Sequence, residues 1–393
     1  MYLFDSKKCE IINRITLEVF ELDKRGAELL EKYLNQRRGI LSKQEEENLR
    51  DGLSEVDINL EDIISWEKSF FAPQIPIVHI IKNCNSACVM CDCWKNKKLE
   101  YHSKEELKKV FKSLSERGAI SIMVSGGEPI LHPELEGIID IIHHNNMTVQ
   151  LNTNGILLRN KDFLFTKNIE ALVVSMDGFN KKDYKSVRGV DKFETVCENI
   201  KYFKEKSPNT VVGLRVTLTK YFFANIDILL ELCLNLGIDH VGFSPLDVTT
   251  ESFSRIMNNE KSKALVNDLL PDIKFIENTL KDLRNCQSEI FILINNAYQD
   301  NIFSWPVETF IKCLEYYKRI ILEREFEDDN EPCKFPYFSL LVDYDGSVKS
   351  CFYSNAYSTI DKFETEIWDV RKISNDLIKS GKCIGCRGKI FCG

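Results

Sequence analysis

The sequence predicts an α/β protein built on a partial (β/α)6 barrel of the TIM type. A small α+β unit precedes the barrel and a cysteine-rich segment follows it. Three observations carry this. Between Pro73 and about Pro245 an apolar strand pattern alternates with an amphipathic helix pattern six times. The first of these strands runs into three closely spaced cysteines, Cys84, Cys88 and Cys91. A second group, Cys333, Cys351, Cys383, Cys386 and Cys392, lies beyond residue 330.

The 393 residues leave room for two or three domains, each with its own core. A hydrophobic content of 44% and a charged content of 28% are those of a soluble enzyme. The net charge of -8 argues against a broad nucleic-acid-binding surface. No apolar run is long enough for a membrane helix, and the first residues lack a signal-peptide plan. The expectation is a cytoplasmic protein without membrane or nucleic-acid partners. Its 14 cysteines then point to metal sites rather than disulfides. Scattered Cys9, Cys197, Cys233, Cys286 and Cys313 read as small buried apolar residues.

In chain order, residues 1–70 form a separate unit. Met1–Phe4 and Ile11–Glu18 read as a hairpin, followed by helices over Asp23–Arg37 and Ser42–Glu55. Residues 71–250 carry the barrel. Its strands are expected at Pro76–Lys82, Ala119–Ser125, Met147–Asn152, Ala171–Met176, Val211–Leu218 and Asp239–Phe243. Helices are expected at Ser103–Arg117, Glu134–Asn145, Lys192–Lys206 and Ala224–Leu236, with Ser103 and Glu106 forming a capping box. Residues 251–330 read as a charged helical linker region, ending in an acidic loop from Glu323 to Glu331. Residues 331–393 hold the second cysteine group, with a strand over Phe335–Val342 and a hairpin turn at Asp343–Gly346.

Three thiolates on one loop can hold three irons of a cubane cluster and leave the fourth iron open. Cys84, Cys88 and Cys91 stand at Cys-x3-Cys-x2-Cys directly after a strand. Cys93 offers a fourth thiolate that would close the site, and reads as a bystander. Trp94 reads either as a cover over the cluster or as plain packing. Here the chain resembles the radical S-adenosylmethionine (radical SAM) superfamily. The resemblance implies a [4Fe–4S] cluster whose open iron takes the amino and carboxylate groups of SAM. It also implies reductive cleavage of SAM to a 5′-deoxyadenosyl radical, fed by a flavodoxin- or ferredoxin-type electron donor.

Further motifs stand at the ends of the next strands, where barrel enzymes keep their sites. Ser125-Gly126-Gly127-Glu128-Pro129 closely matches the family's motif for the SAM amino group, so that Gly126, Gly127 and Glu128 bind the methionine moiety. Asn154, in Asn152-Thr-Asn-Gly155, is placed near the ligand. Ser175 and Asp177 offer a hydroxyl and a carboxylate on one side of a strand end, suited to ribose or SAM groups. Ser175 and Arg188 match residues that contact SAM in peptide-maturing relatives; alternatively Arg188 braces its loop. No catalytic acid or base is assigned, because hydrogen abstraction by a carbon radical needs none.

The order Cys-x12-Gly-x4-Cys, then Cys-x2-Cys-x5-Cys, resembles the start of a SPASM domain or its smaller relative, the twitch domain. The resemblance implies one auxiliary iron–sulfur cluster, [4Fe–4S] or [2Fe–2S], on Cys333, Cys351, Cys383 and Cys386. Cys392 departs from that pattern, and the same spacing permits a structural zinc site. Residues 1–70 resemble the leader-recognition units of peptide-modifying radical SAM enzymes, or are a cap on the barrel. The expected substrate is a precursor peptide that is crosslinked, epimerised or similarly modified. A small sugar or aminocyclitol is the alternative, and a non-catalytic iron–sulfur or zinc scaffold is the reading of another class.

Overall fold

In the computed structural model, six parallel strands in sequence order frame the barrel. The structure describes residues 2–5, 9–13, 19–34, 41–65, 74–246, 267–322, 340–349, 356 and 358–362.

The N-terminal unit holds β1 (Tyr2–Asp5), β2 (Glu10–Asn13), β3 (Val19–Glu21), α1 (Lys24–Leu34), α2 (Lys43–Ser54) and β4 (Ile63–Ser65). Its strand order is β3-β2-β1-β4, with β1 and β4 parallel. Of the expected second strand, Ile11–Glu18, residues 11–13 lie in β2, antiparallel to β1 as the hairpin requires, and residues 14–18 lie outside the described residues; β3 pairs antiparallel with β2 on its other side. Strand β4 carried no periodic signal, being only three residues long. The helices obey their caps. Asp23 Oδ1 accepts the Gly26 N–H at 2.5 Å, and Ser42 with Glu45 forms a capping box. Leu29, Leu30, Leu49, Leu53, Ile58 and Ile63 make a core of their own, distinct from that of the barrel.

The barrel strands are β5 (Ile77–Ile81), β6 (Ser121–Gly126), β7 (Thr148–Thr153), β8 (Ala171–Ser175), β9 (Val211–Leu218) and β10 (His240–Pro245). Each pairs in parallel with the next. Between them lie α3 (Lys104–Glu116), α4 (Leu135–His144), short α5 (Phe163–Thr166), α6 (Lys181–Arg188), α7 (Phe193–Lys206), short α8 (Lys220–Phe223) and α9 (Ile226–Leu236). Alternation sorts the strand faces. On β6, β7 and β8 the residues Val124, Leu151 and Val174 are buried under the helices, while Ser125, Asn152 and Ser175 are half-buried on the opposite face. On α3 the apolar stripe Leu107, Val110, Phe111 and Leu114 is fully buried, each side chain contributing about 1.5–3 kcal/mol over exposure.

After β10 come α10 (Ile273–Leu283), α11 (Glu289–Gln299) and α12 (Val307–Ile321). Their apolar faces, including Ile276, Ile294, Phe310 and Tyr317, join the barrel core. The Tyr317 hydroxyl donates to Leu218 O at 2.7 Å and accepts from Leu246 N at 2.6 Å, tying the ends of β9 and β10 together.

β11 (Leu341–Val342), β12 (Ser347–Lys349) and β13 (Ser358–Thr359) extend the barrel sheet beyond β5. The expected Asp343–Gly346 turn joins β11 and β12, with Gly346 N donating to Asp343 O at 2.9 Å. Among the scattered cysteines, Cys233 and Cys313 are buried as expected; Cys9 and Cys197 are half-buried. Cys286 is corrected: it is exposed, in the turn between α10 and α11. Among the described residues no helix is long and apolar enough to cross a membrane.

Candidate metal and cofactor site

The three cysteines sit on the loop that leaves the C-terminal end of β5. Cys88 is buried, and Cys84 and Cys91 are half-buried. Backbone contacts from two sides clamp this loop. On one side, Gly127 N donates to Ile81 O at 2.7 Å and Glu128 N to Asn83 O at 2.8 Å. On the other, Ala87 N and the Ser86 hydroxyl donate to Arg188 O, both at 3.1 Å, and Val89 N donates to Val187 O at 3.0 Å.

The clamps depend on glycine. A Cβ on Gly127 would lie 2.1 Å from Lys82 O and 2.3 Å from Asn83 O. One on Gly189, whose φ is +69°, would lie 2.0 Å from Ala87 O. Beyond the ligand-binding role expected of Gly126 and Gly127, the pair lies in close approach to the cysteine-bearing segment itself.

Asn83 pins the outgoing half of the loop. Its amide donates to Asn96 O and Lys98 O, and its Oδ1 accepts from Glu100 N. Trp94 folds back over the cysteines, its Nε1 donating to Cys91 O at 2.8 Å and to Cys88 O at 3.3 Å. Trp94 as a whole is 39% exposed, so it is not part of the core.

Glu128 is fully buried. Its Oε1 accepts from Thr153 Oγ1 at 2.7 Å and Ile130 N at 3.1 Å, and its Oε2 accepts from Asn154 N at 2.7 Å. Burial pushes its pKa up, against these three donors and the more distant Arg188. The carboxyl thereby links the ends of β6 and β7. Asn154 continues the link: its Nδ2 donates to Asn85 Oδ1 at 2.7 Å and approaches Cys84 Sγ at 3.8 Å.

Ser175 ends β8 on the half-buried face, beside Arg215 of β9. Asp177 is buried, with Oδ1 accepting from Thr217 N at 2.7 Å and Oδ2 from Arg188 Nη1 at 2.9 Å. Arg188 lies in the last turn of α6, a helix that sequence reasoning missed. The signal was present: Asn180 accepts from Asp183 N at its start, and left-handed Gly189 ends it. Among the described residues, buried Arg188 Nε has no hydrogen-bond partner.

Burial pushes the Cys84 thiol up to about 12 and raises that of Cys88. The neighbouring Cys93 thiol raises Cys91 first, and burial adds to it. The Arg188 guanidinium opposes all three shifts. A donor set of three sequestered thiols facing a buried cation fits an anionic iron–sulfur cluster, because binding metal deprotonates them. Among the described residues no three His, Cys, Asp or Glu side chains converge on one metal ion. A cubane needs no such convergence, since each thiolate takes its own iron. The structure thus gathers Cys84, Cys88, Cys91, Gly126, Gly127, Glu128, Asn154, Ser175, Asp177 and Arg188 at one end of the barrel. Cys333, Cys351, Cys383, Cys386 and Cys392, like the acidic stretch 323–331, lie outside the described residues.

Comparison with known proteins agrees on the class. Residues 78–233 match the family model described as the Radical SAM superfamily. The "Probable GTP 3',8-cyclase" of Methanococcus maripaludis (strain C5 / ATCC BAA-1333) is 34% identical over 127 residues, 31% of this chain and 42% of that protein. The protein of the same name from Methanocaldococcus jannaschii is 28% identical over 199 residues, 48% and 66% of the two chains. The chain thus spans between 42% and 66% of the length of these curated relatives. Among solved structures, Streptococcus suis SuiB shares the fold over 99% of this chain and 93% of its own, at 18% identity and a TM-score of 0.60. Native anSMEcpe with bound AdoMet and Kp18Cys peptide covers 81% and 87%, at 17% identity and a TM-score of 0.53. The domain match and the enzyme names of these relatives support a radical SAM enzyme.

Proposed function

We propose that the chain is a radical SAM peptide maturase. When bound, a [4Fe–4S] cluster and SAM would supply the radical chemistry for hydrogen abstraction from a peptide. Cys84, Cys88 and Cys91 would hold that cluster. Gly126, Gly127 and Glu128 frame the methionine end of SAM, and Asn154 lies beside them. Ser175, Asp177 and Arg188 line the opposite side, where the buried guanidinium suits a carboxylate. Cys333, Cys351, Cys383 and Cys386, with Cys392 at hand, carry one auxiliary cluster in a twitch/SPASM-like segment. A flavodoxin- or ferredoxin-type protein delivers the electron.

The observation that carries the peptide reading is the reach of the structural likeness. It covers 99% of the chain against SuiB bound to precursor peptide SuiA, at 15% identity and a TM-score of 0.57. That span includes residues 1–70, which the barrel does not need topologically. In this unit β3 lies at one edge of the four-stranded sheet, a place where an extended leader peptide can add a strand.

The test is incubation of reconstituted protein, SAM and reductant with a short Cys- or aromatic-containing peptide encoded beside the gene. The expected product is a peptide lighter by two hydrogens, or epimerised with solvent hydrogen, and dependent on SAM. The names of the sequence relatives favour a second reading, a small-molecule substrate. Turnover of GTP, a sugar or an aminocyclitol in place of the peptide would establish that reading instead.

A further inference from the structure

Asn154 sits where three parts of the site meet, and each polar atom of its side chain is accounted for. Its Oδ1 accepts from Ile156 N at 3.0 Å, closing the turn after β7. One amide hydrogen serves Asn85 Oδ1 at 2.7 Å. The Nδ2 also lies 3.8 Å from Cys84 Sγ, within donor reach of sulfur. Its backbone N–H is held by the buried Glu128 carboxyl at 2.7 Å, and the residue is only 3% exposed. The amide therefore has little freedom to turn away. Cys84 Sγ receives a second donor, the backbone N–H of Ser86, at 3.4 Å.

We infer that Asn154 is a positioning residue for the cluster ligand Cys84, and that its amide N–H raises the reduction potential of the core cluster. The inference rests on the cluster reading of Cys84, Cys88 and Cys91. Its physics is that of all N–H donors to cluster sulfurs. Reduction adds one negative charge to the cluster, part of which falls on the thiolate sulfurs. A donor dipole aimed at such a sulfur stabilises the reduced form more than the oxidised form. Burial strengthens the effect, because little water competes for the sulfur. The amide deepens the role of the Asn-Thr-Asn-Gly turn: besides lying near SAM, the turn tunes the electron acceptor.

The test uses the full-length, anaerobically reconstituted protein. The quantity read is the midpoint potential of the electron paramagnetic resonance signal that SAM perturbs, followed together with iron content. Asn154→Ala removes the donor. Asn154→Ser also removes it but keeps a hydroxyl oxygen for Ile156 N, so the turn is preserved if the alanine variant does not load iron. Asn85→Ala removes the neighbouring partner and leaves the N–H on Cys84. The expected result is a more negative potential for both Asn154 variants at unchanged iron content. Read at fixed poise, the ratio of reduced to oxidised cluster falls, a tenfold fall being about 59 mV for one electron. Asn85→Ala should leave the potential in place. An unmoved potential in an iron-loaded Asn154 variant overturns the inference. So does an equal shift in Asn85→Ala, which would assign the effect to loop placement. If the unaltered protein gives no SAM-perturbed signal, the cluster reading itself fails, and the inference with it.

Discussion

At Gly127 the fold has no room for a methyl group. A Cβ there would lie 2.1 Å from Lys82 O, which is backbone and cannot step aside. Gly127→Ala should therefore push the strand β6 end off the cysteine loop, at a cost of about 1–3 kcal/mol or more. Iron content per reconstituted protein is the check: a sharp fall is expected, whereas full iron loading would show that the clamp is dispensable. A second residue makes a pH prediction. His132 is fully buried, with Nδ1 accepting from Glu134 N and Nε2 facing His102 O at 2.8 Å. Burial lowers its pKa below the usual 6.5, so the folded state takes up the proton only at lower pH than the unfolded chain does. Below about pH 6.5 the unfolded chain binds the extra proton, and stability falls as pH falls toward the depressed folded pKa. His132→Gln, which retains a donor for His102 O, should lose less in thermal midpoint between pH 7.5 and 5.5 than the unaltered protein.

Among the elements, the β11–β12 hairpin shows how the C-terminal part is tied to the cysteine-bearing strand. Asp343 Oδ1 lies 3.0 Å from His79 Nδ1, on β5 itself, and its Oδ2 accepts from Lys349 at 2.7 Å. The Asp343 carbonyl faces His102 Nε2 at 2.8 Å. Burial would raise the Asp343 carboxyl, but His79 and Lys349 outweigh it and hold it well below the ordinary carboxylate range. Its stabilisation is thus complete above about pH 4 and lost only in acid. Asp343→Ala should cost roughly 1.5–3 kcal/mol, as for hydrogen bonds to charged groups. It should also expose residues 340–349 to hydrogen exchange ahead of β6–β9; exchange unchanged in that segment would contradict the role given to the carboxylate. The hairpin turn was legible in Asp343-Tyr-Asp-Gly346, but its docking beside β5 was not. Leu341–Val342 pairs with Ile77–Val78, 264 residues away, and local periodicity does not encode such partners. Helix α6 was missed for another reason: its eight residues are mostly charged, and only Tyr184, Val187 and Arg188 are buried.

Across the whole molecule, the barrel was legible because its six strands and its longer helices announce themselves locally, whereas short α5 and the charged α6 do not. The six strands stand within two residues of their expected bounds, and Val211–Leu218 coincides with them. The positions of the site residues were legible in the same way, as motifs at strand ends. Their mutual bonds were not: Glu128 with Thr153 and Asn154, or Arg188 with Asp177, depend on strand order and register. The N-terminal unit has its own core, centred on Leu30 and Ile11. Deleting residues 1–70 should therefore leave a soluble protein that still cleaves SAM unproductively, but that no longer modifies a leader-bearing peptide. A truncated protein that processes the full peptide at the normal rate would contradict leader recognition. All of this rests on Cys84, Cys88 and Cys91 holding a cluster with one open iron. The most direct measurement is 5′-deoxyadenosine formed from SAM by anaerobically reconstituted, dithionite-reduced protein, beside its Cys88→Ala variant. The unaltered protein should give 5′-deoxyadenosine and methionine and the variant none above background; equal production by the two would contradict a cluster held by Cys84, Cys88 and Cys91.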